Sequence, residues 1–196
     1  MKIYRLPASD PKKFGPKRVQ SRRNRTLEEH GQLNLFSGKI FELNAGSPFE
    51  SALKYDEAGE YLKAQEWYLK AVEAEDSTAD AYCNLGIIAS EEGRYAEAVD
   101  YLTLCLKHDH RHYEAHFNLA NIYSEAGNIA LAKFHYQIAI KLEPGFSNSY
   151  FNLALLLVVN REYEEAIKKL KNYLQLVPES EHVPALELIE KLSDLK

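Results

Sequence analysis

The sequence predicts an all-α fold, a helical-hairpin repeat solenoid. Three observations carry that prediction. First, Tyr82-Cys83-Asn84-Leu85-Gly86 returns as His116-Phe117-Asn118-Leu119-Ala120 and again as Tyr150-Phe151-Asn152-Leu153-Ala154, which sets Asn84, Asn118 and Asn152 34 residues apart. A fixed period of that size marks helical pairs that bury a continuous core only by stacking. Second, Gly59, Gly93 and Gly127 keep the same step, each where a left-handed residue can end a helix at little cost. Third, Ala64, Ala98, Ala132 and Ala166 hold one column of small residues, as a close helix–helix contact requires.

Taken in order, residues 1–30 carry nine Lys/Arg against three acids, a net +6 that leaves −11 on residues 31–196 of a chain whose total is −5. This basic arm has no apolar period, and its composition predicts a disordered or extended segment when alone. Residues 31–44 gather Leu33, Leu35, Phe36, Ile40, Phe41 and Leu43 around Ser37-Gly38. A small hairpin, an extended strip docked on the body and a plain linker all fit that stretch.

Ser47-Pro48-Phe49-Glu50 opens the ordered body, with Ser47 and Glu50 as a capping box and Pro48 at the first helical position. Helix pairs are expected at 48–58 and 61–74, 79–92 and 95–108, 113–126 and 129–142, and 147–160 and 163–176. Arg161 stands where the first three pairs have glycine, and Pro144 and Pro178 fall between pairs. Gly86, Ala120 and Ala154, with Ala52, repeat the small-residue device on the first helices. A later column reads Ala71, Cys105, Ala139, Tyr173. Tyr61, Tyr95, Ile129 and Tyr163 are expected to fill the gap beside each turn. Residues 183–195 are amphipathic, with Leu186, Ile189, Leu192 and Leu195 on one side, and are expected to cap the last pair.

The pattern Asn-Leu-Gly/Ala, Gly, Tyr, Ala, Ala, Pro at this step resembles the tetratricopeptide repeat. The resemblance covers residues 45–180 as four repeats, with a capping helix over 181–196 and with residues 1–44 outside it. It implies a right-handed superhelix whose first helices line a concave groove. Carried over column by column, that groove holds Asp80, Cys83, Asn84, Ile87, Ser90 and Glu91. It continues through Glu114, Phe117, Asn118, Asn121, Ser124 and Glu125 to Asn148, Phe151, Asn152, Leu155, Val158 and Val159. Similar asparagine ladders hold peptide backbones in sugar-transferase members of the family, because an amide offers both donor and acceptor. The expected groove is graded. Asp80, Glu91, Glu114 and Glu125 make its first part acidic, and Phe117, Phe151, Leu155, Val158 and Val159 make its last part apolar. The columns that clamp a terminal carboxylate in chaperone-binding members hold Phe49, Leu53, Glu114 and Asn118 here, with Asn84 alone agreeing. A carboxylate clamp is therefore not expected.

Chemistry is sparse. His108, His110, His112 and His116 cluster, but no carboxylate or thiolate sits beside them at a recognised metal spacing, and His116 occupies a packing column. Cys83 and Cys105 read as structural thiols, Cys83 on the groove face and Cys105 on a packing column, and two cysteines make no disulfide framework. Glycine-rich phosphate loops, nucleophile elbows and paired-carboxylate signatures are absent from the sequence. The expectation is a cytoplasmic, non-enzymatic scaffold or adaptor without cofactor or metal, binding an extended or helical peptide segment through Asn84, Asn118, Asn121, Asn152 and their neighbours. No apolar run approaches the 18 or so residues of a membrane span. Two rivals stand: a nucleic-acid-associated regulator using residues 1–30 on phosphates, and an accessory part of an enzyme. The opposed charges also raise the expectation that the arm occupies the chain's own groove, in cis or from a second subunit.

Overall fold

The computed structural model describes residues 18–19 and 46–194. Expectations that fall on the rest of 1–45, including the strip at 33–43, and on Leu195 lie outside the described residues. Among the described residues the chain forms nine α-helices: α1 (Pro48–Glu57), α2 (Tyr61–Glu73), α3 (Thr78–Glu91), α4 (Tyr95–His108), α5 (Tyr113–Glu125), α6 (Ile129–Leu142), α7 (Ser147–Val159), α8 (Tyr163–Leu176) and α9 (Val183–Ser193). The four predicted pairs are reproduced to within about a residue at each end. None of the described helices is long and apolar enough to cross a membrane.

Local chemistry explains the boundaries. Ser47 Oγ accepts from the Glu50 N–H while the Glu50 carboxylate accepts from the Ser47 N–H, so α1 begins on a complete capping box. Gly59, Gly93 and Gly127 take φ of 75°, 76° and 74°, and Arg161 takes 62° in the fourth pair. A side chain in that region costs about 1–2 kcal/mol that glycine avoids.

Among the described residues the chain divides into two compact units, 18–115 and 116–194. In the first, Phe49, Ala52, Ala64, Tyr68, Ala71, Leu85 and Ile88 form the core. In the second, Phe117, Ala132, Tyr136, Phe151, Leu153, Ala166, Leu170 and Tyr173 do so. All four alanines of the second-helix column are fully buried. At Gly86 a methyl group would come 2.8 Å from Leu102 Cγ and 3.2 Å from the Ala98 carbonyl, which explains why this position has no side chain.

Two packing expectations are corrected. Tyr61 and Tyr95, each at a helix start, are 42% and 46% exposed rather than gap fillers. In α9 the inward row is Ala185, Leu188, Ile189 and Leu192, while Leu186 is half exposed. A strict i, i+3 row drifts off the buried stripe of a 3.6-residue helix, and alternating steps of three and four keep to it.

Candidate functional site

In the first unit the functional geometry is built on Tyr68, fully buried on α2. Its hydroxyl donates to Asp56 Oδ2 at 3.0 Å and accepts from Asn84 Nδ2 at 3.0 Å. Burial, and then the adjacent Asp56 carboxylate, push the phenol's pKa far above the physiological range, so it stays a donor. Because its single proton goes to Asp56, it can only accept from Asn84. That orients the amide, with Oδ1 facing outward. Asn84 Oδ1 then accepts from the Val19 N–H at 2.7 Å, and Asn84 Nδ2 donates to the Val19 carbonyl at 2.9 Å. One side-chain amide thus holds both main-chain polar groups of one residue.

The preceding residue is held by charge. Arg18 Nε lies 2.7 Å from Asp56 Oδ2, and one of its terminal nitrogens lies 2.8 Å from Glu91 Oε2. The guanidinium stands 5.8 Å from the Tyr61 ring centroid, within cation–π range. The Asp56 side chain is 4% exposed, and a carboxylate that dry requires such a partner. Val19 is buried, 1% exposed, worth about 1.5–3 kcal/mol for a side chain of its size.

In the second unit the counterpart of Tyr68 is Tyr136 on α6. Its hydroxyl donates to Asn121 Oδ1 at 2.6 Å, and Asn152 Nδ2 donates to the same oxygen at 2.9 Å. Burial again pushes the phenol's pKa up. The Asn121 Nδ2 is shielded from solvent and has no hydrogen-bond partner among the described residues. Asn121, Glu125, Tyr136, Asn152, Leu155 and Val159 line an open pocket of about 230 Å³.

Several sequence-derived site residues stand elsewhere. Phe117 and Phe151 belong to the second unit's core: Phe117 packs on Tyr136 and Phe146, and Phe151 on Tyr173. Their aromatic area is spent on packing, so the apolar end of the groove reduces to Leu155 and Val158, both partly buried, and the exposed Val159. Asn118 is buried. Asp80 and Glu114 are also buried and flank His112, at 3.1 Å from Nε2 and 3.4 Å from Nδ1. They are turned inward against His112 and present no acidic surface. Glu91 and Glu125 are exposed.

The histidine run disperses. His108 stacks on Tyr82, and His116 Nδ1 meets His135 Nδ1 at 2.9 Å. Cys83 is fully buried rather than on a groove surface, and its thiol, that of Cys105 and a His112 nitrogen lie within 4.8 Å of one another. Burial pushes the Cys83 thiol well up, and the His112 nitrogens already face Asp80, Glu114 and the Ala115 N–H. The group as folded is packed thiols and imidazole; a metal would have to displace those partners and take protons from both cysteines.

Sequence reasoning missed Asp56, Tyr68 and Tyr136. A signal existed. Residues 68, 102, 136 and 170 read Tyr, Leu, Tyr, Leu, and each tyrosine stands sixteen residues before an asparagine of the ladder. A hydroxyl in an otherwise leucine column asks for a buried partner.

Helix pairs stacked at a fixed period over alanine and aromatic columns define an all-α helical-repeat protein. Tetratricopeptide-repeat family models match residues 49–109, 89–134 and 135–168, together more than half of the chain. The chain belongs to the tetratricopeptide repeat family. No curated protein sequence matches it. Among solved structures it is similar to MamA at 19% identity and a TM-score of 0.64, over 75% of this chain and 79% of that one. A tetratricopeptide repeat protein from Parabacteroides merdae matches at 21% identity and a TM-score of 0.63, over 76% of this chain and 59% of that one. The first repeat domain of Spaghetti (RPAP3), bound to the HSP90 peptide SRMEEVD, matches at 23% identity and a TM-score of 0.55, over 60% of this chain and 91% of that one. Likeness at these identities is a likeness of fold.

Proposed function

We propose that this chain is a non-catalytic interaction scaffold that holds an extended segment of a partner protein against the first-helix faces of its repeats. The observation that supports this reading most is the two-bond hold of Asn84 on the Val19 main chain. Such a hold ignores the side chain of the residue it grips and so suits any extended segment. The shielded Asn121 Nδ2 offers a second donor for a main-chain carbonyl. The HSP90 peptide of the Spaghetti structure carries two glutamates. Here Asp56 and Glu91 stand where a ligand would lie, which favours a ligand of the opposite charge. The nucleic-acid reading loses Arg18, which is spent on two carboxylates.

The test is selection of peptides from a random display library on the intact chain. Selected peptides are expected to lose at least tenfold in affinity on Asn84→Ala or on Asn121→Ala/Asn152→Ala. Peptides indifferent to every asparagine, or salt-sensitive binding of DNA in their place, would overturn the scaffold reading.

A further inference from the structure

We infer that the Asp56–Glu91–Asn84 face of the first unit is a recognition site for an arginine–aliphatic dipeptide. Its resident occupant is Arg18–Val19 of the same chain, so an outside ligand must carry the same chemistry and compete for the site. This rests on the scaffold reading and goes further by naming the ligand and its built-in rival.

Each part of the dipeptide is specified by a different contact. The planar guanidinium is gripped at Nε by Asp56 and at a terminal nitrogen by Glu91, with Tyr61 across it. A lysine ammonium, a point charge, cannot reproduce that two-sided fork. The following residue gives both main-chain groups to Asn84, and its side chain is removed from water, which admits valine or isoleucine and excludes charge. The sequence narrows the choice further. Of the nine cations in residues 1–30, Arg5 and Arg18 are the arginines followed by an aliphatic residue, Leu6 and Val19.

Competition follows from the tether. Twenty-six residues separate Val19 from Gly46, and a tether of that length holds its end at roughly millimolar effective concentration. A free peptide of the same sequence therefore binds the wild-type chain much more weakly than a chain whose own dipeptide has been removed.

The experiment uses a fluorescein-labelled peptide of residues 14–23 and the full chain, read by fluorescence anisotropy. Arg18→Ala/Val19→Ser is expected to bind the peptide at least tenfold more tightly than wild type. A peptide carrying Arg18→Lys should bind that variant at least tenfold more weakly, and adding Asn84→Ala should abolish binding. Circular dichroism melting checks that each variant is folded. Binding to neither protein, or binding indifferent to Asn84, would overturn the dipeptide assignment. Equal binding to both would overturn the built-in competition. Conversion of a wild-type dimer to a monomer by the double substitution would mean that the occupant comes from a second copy, which also overturns it. If display-selected peptides still bind through Asn84 while this peptide does not, the dipeptide fails and the scaffold reading stands. If both fail, both fall.

Discussion

The groups around Tyr68 and around Tyr136 share one plan and differ in one member. Each tyrosine is buried, each stands sixteen residues before an asparagine, and each hydroxyl donates to a polar side chain of the preceding helix. In the first group that acceptor is the Asp56 carboxylate, which also takes Arg18. In the second it is the neutral Asn121 amide, whose oxygen takes two donors and whose Nδ2 is left over. The tyrosine and the ladder asparagine are therefore the shared framework, and the third residue sets the charge of what can be held. A carboxylate there calls for a cation. An amide calls for a carbonyl.

The comparison can be broken at its packing first. The alanine columns are equivalent in both units, so Ala64→Leu and Ala132→Leu should each destabilise the chain by about 1–3 kcal/mol, measured by thermal unfolding. A cost confined to one unit would mean that the repeats do not share their packing.

The polar difference should appear next. Tyr68→Phe removes one of the two acceptors of Asn84 Nδ2 and the hydroxyl donor to a dry carboxylate, a cost of about 1–3 kcal/mol. Tyr136→Phe leaves Asn121 Oδ1 still bonded to Asn152 and should cost about 0.5–1.5 kcal/mol. Equal losses in denaturant titration would erase the distinction between the two groups. Arg161→Gly should stabilise by about 1 kcal/mol, because it relieves a side chain at positive φ. A lowered melting temperature would show that the Arg161 side chain contributes more than its backbone costs.

The smallest effect is expected from pH. Burial holds the His135 pKa below its ordinary value, and its Nδ1 faces that of His116. A depressed histidine contributes stability that is present above about pH 6.5 and is lost as pH falls toward the folded-state value. His135→Phe should flatten that slope between about pH 7 and 5. An unchanged slope would take the pair out of the acid sensitivity.

Helix boundaries were legible because period, capping box and glycine column are local signals that agree. The turn from α2 to α3 was not, since Glu75 and Ser77 take φ of 54° and 52° with no glycine to announce it. The groove was legible only as a set of columns. Asn84, Asn121 and Asn152 do stand at polar junctions, but Phe117 and Phe151, one residue before ladder asparagines, turn into the core. Asp80 and Glu114 turn inward against His112, and the Asp80 pairing, 32 positions apart in sequence, is one that no periodicity announces. Arg18 read as one cation among nine, because what distinguishes it is the carboxylate of Asp56, 38 positions away in sequence.

The central claim is that Asn84 holds the main chain of Val19. Amide hydrogen exchange at Val19, followed by NMR on the full chain, tests it most directly. The Val19 amide should exchange at least tenfold more slowly than an unstructured amide, and Asn84→Ala or Asp56→Ala should remove that protection while the α7 and α8 amides keep theirs. Exchange of Val19 at the unstructured rate in the wild-type chain would contradict the account.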